Sequence, residues 1–298
     1  MDPGADSASI DSQSLHVEIS ALGAELAAIR DRSGRDLLWN GDPAFWSGRA
    51  PILFPVIGVL RHGRYRFDSR EYEMPKHGFA RRSVFEILPD SGAAVTMRLD
   101  ATAATRAIYP FEFRLEVSFA VEAAALRVTA TIANRGDRPM PASFGFHPAL
   151  RWPLPFGRPR AEHVIRFAQP EPAPVRRIDC DGLLTPTEHP TPVDGDRLEL
   201  RDDLFVDDAL IFDQLASRSV RYGATGGPSI EVSFDDFDTL GVWTKPGAPF
   251  ICIEPWRGVS DPEGFEGDIR HKPGIMEIPA GGARSLSMRL TLLPDDPA

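Results

Sequence analysis

Two short stretches each set one titratable side chain in a rigid, apolar context. Ser143-Phe144-Gly145-Phe146-His147-Pro148 carries an imidazole beside two phenylalanines, and Ile251-Cys252-Ile253-Glu254-Pro255-Trp256 carries a carboxylate in an apolar run. Apolar surroundings move pKa values toward neutrality, where a group can take and return a proton at physiological pH. Pro75-Lys76-His77-Gly78-Phe79-Ala80-Arg81 adds a second imidazole and two cations. The three together point to proton transfer on a polar small molecule.

Each residue also has a plainer reading. On a strand, Phe250, Cys252 and Glu254 share one face, with Ile251 and Ile253 on the other. Pro255 biases Glu254 toward extended backbone and is expected to end the ladder. Glu254 is then a buried base, or a strand-end carboxylate that reaches solvent or pairs with Arg257. His147, stiffened by Pro148, is a general acid or an ordinary core histidine, and His77 invites the same two readings. Asp207-Asp208-Ala209-Leu210-Ile211-Phe212 begins a strand with two carboxylates, and Asp208 either accepts from ligand hydroxyls or is simply solvated. Among Arg61, Arg64, Arg81 and Arg82, the setting of Arg81 singles it out for a ligand.

Other chemistries lack their residues. Gly223-Ala224-Thr225-Gly226-Gly227 has no following Lys-Ser/Thr and reads as a turn, not a phosphate loop. No Gly-x-Ser-x-Gly elbow and no His-Glu-x-x-His occurs. The 2 cysteines, Cys180 and Cys252, and the scattered histidines show no metal-ligand spacing. Neither a metal nor a cofactor is expected.

The elements that must position these residues are strands. Period-two alternation runs through Leu15-Val17-Ile19, Phe113-Leu115-Val117-Phe119, Leu126-Val128-Ala130-Ile132 and Leu286-Met288-Leu290-Leu292. Each reads as a half-buried antiparallel strand. Residues 21–30 fit a strand pair at least as well as a helix, because Gly23 falls inside them. With 25 Gly and 28 Pro, turns are frequent, as at Asp68-Ser69-Arg70 and Lys245-Pro246-Gly247. Many short strands with frequent turns imply an all-β sandwich or barrel. The proline-rich residues 153–176 read as a surface excursion, and residues 1–12 as a flexible tail. Without a low-complexity linker or repeat, 1–298 is expected to be one domain.

The 298 residues are 42% hydrophobic, enough for a large core. A net charge of −10 opposes nucleic-acid and anionic-membrane partners, although a local basic pocket is compatible with it. Met1-Asp2-Pro3-Gly4-Ala5-Asp6 lacks the apolar core of a signal peptide, and Pro51 to Leu60 is too short to span a bilayer. A cytoplasmic monomer or homodimer is the expectation.

At these residues the chain resembles the aldose 1-epimerase (galactose mutarotase-like) family. The blocks occur in order: Gly23-Ala24-Glu25-Leu26, Asp36-Leu37-Leu38-Trp39, Trp46 through Pro51-Ile52-Leu53-Phe54-Pro55, His77-Gly78-Phe79-Ala80-Arg81, Gly145-Phe146-His147-Pro148, Asp208-Ala209 and Ile253-Glu254-Pro255-Trp256. The resemblance implies an antiparallel β-supersandwich with a sugar cleft on one sheet, acting without a cofactor on an aldohexose or related sugar. It maps the base to Glu254, the acid to His147, and substrate binding to His77 and Asp208. Members often have arginine directly after the glycine at which Val59 follows Gly58 here; Arg61 is the nearby substitute. In related hexose-6-phosphate mutarotases the arginine matching Arg81 helps bind phosphate, so a phosphorylated sugar is a variant of the same expectation. A carbohydrate-binding protein without catalysis, and a glycosidase using Glu254 and Asp208, are the competing readings. For the epimerase, opening a cyclic hemiacetal needs a base at O1 and an acid at the ring oxygen. Glu254 is expected ionised and His147 protonated, from unperturbed pKa values near 4.3 and 6.5.

Overall fold

Alternating apolar residues build the larger sheet of the computed structural model, which describes residues 7–294. Phe113–Glu122 and Ala125–Asn134 form a long hairpin whose register sets Leu126 opposite Val121, Val128 opposite Phe119 and Ala130 opposite Val117. All six side chains are buried. The other face of this sheet is polar, with hydroxyl pairs across the strands: Thr129 with Ser287 at 3.1 Å and Thr96 with Ser118 at 2.8 Å. Nine strands hydrogen-bond in the order Arg197–Glu199, His163–Phe167, Ser219–Ala224, Ser229–Ser233, Ala283–Leu293, Ala125–Asn134, Phe113–Glu122, Ala94–Asp100 and Glu86–Ser91.

A second, eight-stranded sheet runs Leu184–His189, Val175–Ile178, Leu210–Phe212, Thr239–Trp243, Phe250–Arg257, Phe144–Phe146 and Ile52–Leu53, with Ala149–Arg151 also pairing onto Phe250–Arg257. Every ladder between these strands is antiparallel. Ile251, Ile253, Leu240 and Val242 from this sheet share one apolar cluster with Leu115, Val117, Phe119 and Val128 from the other. That cluster is the core between the layers. The opposite face of Phe250–Arg257 carries Phe250, Cys252, Glu254 and Trp256, as period two requires. Its apolar members fall into two small clusters outside the main core.

Several expectations change. Ser7–Asp11 is a strand paired with Leu15–Ser20, and Ile10 is buried, so the expected flexible tail of 1–12 does not extend over those residues. Residues 1–6 lie outside the described residues. The proline-rich 153–176 excursion contains His163–Phe167, a strand inside the nine-stranded sheet. Its prolines flank a proline-free run in which Val164, Ile165 and Phe167 are buried. Pro255 does not end its ladder, since Pro255 pairs with Leu240 and Trp256 with Thr239. The Ile253 N–H donates to the Pro148 carbonyl at 3.2 Å. Pro255 has no N–H to give, and the adjoining strand Phe144–Phe146 pairs only with Trp256 and Arg257, so the ladder continues past it. The 21–30 segment is a strand, Glu25–Asp31, paired with Leu15–Ser20.

Candidate active site

The strands Phe144–Phe146 and Ala149–Arg151 leave a break in the ladder at His147-Pro148. It frees His147 from the ladder just where Glu254 crosses it, and the two side chains meet. His147 Nε2 lies 3.1 Å from Glu254 Oε2, with both residues buried. They sit in a cavity of about 260 Å³ lined also by Trp46, Gly58, Lys76, His77, Arg81, Arg82, Asp208, Trp243, Trp256 and Ser260. Trp46 stacks on the His147 ring with centroids 5.0 Å apart, and His77 meets it edge-on at 6.0 Å.

His77 is held by a crossed pair of bonds. Its own N–H donates to the Gly58 carbonyl at 2.8 Å, and the Gly58 N–H donates to His77 Nδ1 at 3.0 Å. The acceptor role of Nδ1 leaves the ring proton on Nε2. Gly58 has φ of +66°, and a Cβ there would lie 1.7 Å from Ser260 Oγ, so only glycine fits. Asp208, also left-handed at φ +65°, precedes the strand Leu210–Phe212; its Oδ1 accepts from the Ala209 N–H at 2.7 Å.

The electrostatics follow from burial. Burial pushes the Glu254 carboxyl well above its usual range and Asp208 adds to this, while Lys76 and Arg81 pull it down. The Trp256 indole N–H also lowers it, yet neither Trp256 Nε1 nor Glu254 Oε2 makes a well-formed hydrogen bond. Burial, reinforced by Arg81, pushes His147 down to about 3. Burial likewise holds His77 well below the ordinary histidine value, with His147 adding to it. These shifts run against the expectation of an ionised Glu254 and a protonated His147, since burial favours the neutral form of each group.

Of the site residues expected from sequence, Glu254, His147, His77, Asp208 and Arg81 line one cavity. Arg61 does not join them. Its guanidinium pairs with Glu266 at 2.8 Å and lines a separate cavity of about 250 Å³. Val59 supplies only backbone there: its N–H donates to Ser260 Oγ at 3.1 Å and its carbonyl accepts from the Asp261 N–H at 2.9 Å. The cavity's cations come instead from Lys76, Arg81 and Arg82. Sequence reasoning did not assign Lys76, Trp46, Trp243, Trp256 or Ser260 to the site. Lys76 and Trp256 adjoin singled-out residues in the same segments, a signal available in advance, whereas nothing near Ser260 marks it.

One group of metal-type donors occurs among the described residues: the ligand atoms of His147, Cys252 and Glu254 lie within 4.8 Å of one another. Spacing along the chain cannot reveal it, because its members come from different segments. Burial and Glu254 push the Cys252 thiol well up. A thiol kept protonated is a poor metal ligand, so this donor set suits proton transfer better than metal binding.

The model of the family described as aldose 1-epimerase matches residues 6–268. The chain is 30% identical over 289 residues to the chromosomal protein LacX of Lactococcus lactis subsp. lactis, covering 94% of this chain and 97% of that protein. A galactose mutarotase related enzyme from Lactobacillus acidophilus superposes with a TM-score of 0.89 at 27% identity, over 97% of this chain and 98% of that one. A galactose mutarotase-like protein from Lactobacillus casei ATCC 334 gives a TM-score of 0.87 at 28% identity, over 96% and 100%. The fold is the antiparallel β-sandwich of galactose mutarotase-like proteins, and the chain belongs to the aldose 1-epimerase family.

Proposed function

We propose that this protein interconverts the α- and β-anomers of an aldose by acid–base ring opening, with Glu254 as base and His147 as acid. The observation that carries this is the buried Glu254–His147 contact of 3.1 Å on the floor of a sugar-sized cavity. O1 and O5 of a pyranose are both bonded to C1, so the acid and the base must address neighbouring oxygens. A close pair suits that need.

With both groups in the neutral forms that burial favours, the pair carries one proton. A sugar O1–H donating to the carboxylate, with Lys76 and Arg81 nearby, favours the ionised form and moves the proton to His147. Glu254 then takes the O1 proton, the C1–O5 bond breaks, and His147 protonates O5. Rotation about C1–C2 and reversal give the other anomer. His77, neutral with its proton on Nε2, donates to the ring oxygen region without titrating. Asp208 accepts from sugar hydroxyls, and Trp46 and Trp243 pack against the C–H face. Each positioned acid or base contributes about 10²–10⁴-fold.

One observation favours a phosphorylated aldose as substrate. Lys76, Arg81 and Arg82 all line the cavity, and among the described residues none of them makes an ion pair. Magnetisation-exchange NMR on a panel of aldoses and their 6-phosphates tests both readings. Accelerated anomer exchange supports the enzyme. Competition by inorganic phosphate supports the phosphorylated substrate. Spontaneous rates throughout, with sugar binding detected by calorimetry, would leave a carbohydrate-binding protein.

A further inference from the structure

Trp256 has a buried donor that the mechanism above leaves unused. The residue is 6% exposed and lines the same cavity as Glu254, two positions along the same strand face. Its indole lies in a groove made by two glycines on the flanking strands. Gly145 is opposite Trp256 in one register, and Gly241 is opposite Glu254 in the other. A Cβ at Gly145 would lie 2.7 Å from Trp256 Cδ1; one at Gly241 would lie 2.7 Å from Cζ2 and Cη2 and 3.2 Å from Cε2. Nε1 is bonded to both Cδ1 and Cε2. The N–H edge therefore runs between the two glycine positions, on the side of the strand that carries Glu254.

That nitrogen is buried and faces the Glu254 carboxylate closely enough to lower its pKa, yet it forms no well-formed hydrogen bond; Glu254 Oε2 forms none either, although His147 Nε2 lies 3.1 Å from it. An indole N–H can only donate and a carboxylate can only accept. Two complementary groups left unsatisfied in one cavity ask for a ligand that accepts from one and donates to the other. A hydroxyl does both. A simple packing role for Trp256 explains the groove but not the unused donor.

We propose that Trp256 is a substrate-binding residue whose indole N–H donates to the anomeric oxygen, the atom from which Glu254 takes its proton. This rests on the reading of Glu254 as the O1 base. The covalent step is unchanged. The O1 proton passes to the Glu254 carboxylate, the O1 electron pair closes the C1=O1 double bond, and the C1–O5 pair leaves on O5 with the proton from His147. The indole keeps its hydrogen throughout. Its bond to O1 tightens as negative charge builds there, which is how a fixed donor lowers a barrier.

Trp256→Phe removes the donor together with part of the buried ring, so some fall in Tm accompanies it. With D-glucose and D-galactose as probes, measured where the variant is folded, the expected result is a fall in kcat/KM of about 10-fold or more, carried mainly by kcat. A direct readout is the indole region of the ¹⁵N–¹H spectrum. The 5 tryptophans are Trp39, Trp46, Trp152, Trp243 and Trp256, and single Phe variants of the other four assign the last by elimination. Saturating sugar should shift the Trp256 indole resonance. Catalysed exchange by the wild-type chain with that resonance unmoved, or full activity in Trp256→Phe, overturns the proposal. Absence of catalysed exchange in the wild type counts against Glu254 as base, a separate failure.

Discussion

Two cavities of almost the same size, about 260 and 250 Å³, differ in how their charges are used. In the second, Arg61 pairs with Glu266, Arg66 with Glu71 and Arg64 with Glu73. Lys272 meets Asp261 at 2.5 Å with both side chains buried. In the first, Lys76, Arg81 and Arg82 make no ion pair among the described residues, and Nδ1 of His147, Oε2 of Glu254 and Nε1 of Trp256 are buried without a well-formed hydrogen bond, even though Glu254 Oε2 lies 3.1 Å from His147 Nε2. The contrast teaches that volume does not identify a site. A structural cavity satisfies its own polar groups, whereas a binding cavity leaves them for a ligand.

Substitutions can break this contrast. The largest effect is expected from His147→Gln, which removes the proposed acid and should lower kcat by about 10²–10⁴-fold. A loss under threefold would show that the ring oxygen takes its proton elsewhere. Lys272→Met should leave activity measurable but destabilise the fold by about 3–5 kcal/mol, because it strands the buried Asp261 carboxylate. Urea denaturation measures this, and a cost below about 1 kcal/mol would mean that water reaches Asp261. Arg81→Ala should weaken binding of an aldose 6-phosphate more than that of the parent aldose; equal weakening would remove phosphate from the account. Arg61→Ala disrupts only a half-exposed ion pair and should change kcat/KM by less than about threefold. A loss matching that of Arg81→Ala would restore Arg61 to the site.

The pH profile sharpens the same comparison. Burial lowers His147 to about 3 and raises Glu254 well above its usual range. Below the lower value the pair holds two protons and lacks its base. Above the upper value it holds none and lacks its acid. The acid limb should therefore lie well below the ordinary histidine value of about 6.5, near the lowered His147 value of about 3, and the basic limb above the usual carboxylate range. An acid limb at the ordinary histidine value would mean that His147 titrates as if solvated.

Strand pattern was legible because period two survives in the sequence wherever one face is buried. Leu15–Ser20, Phe113–Glu122, Ala125–Asn134 and Ala283–Leu293 follow it with few exceptions. Proline misled in two places. It suggested an excursion where His163–Phe167 forms a strand, and a terminus at Pro255 where the pairing with Thr239–Trp243 continues. Both depend on partners distant in sequence. Glu254, His147 and His77 stood out because polar groups in rigid apolar segments are unusual. Arg61 was a misleading candidate, since proximity to Gly58 along the chain says nothing about where a guanidinium turns. Ser260 and the Cys252 neighbourhood were invisible, because their roles arise from contacts across strands.

The central claim is that a carboxylate and an imidazole in contact on the cavity floor open a hemiacetal. The most direct measurement is anomer exchange by NMR with wild-type protein and Glu254→Gln, side by side, under conditions where both are folded. The account predicts exchange well above the spontaneous rate for the wild type and only the spontaneous rate for Glu254→Gln. Equal, accelerated exchange in both would contradict it.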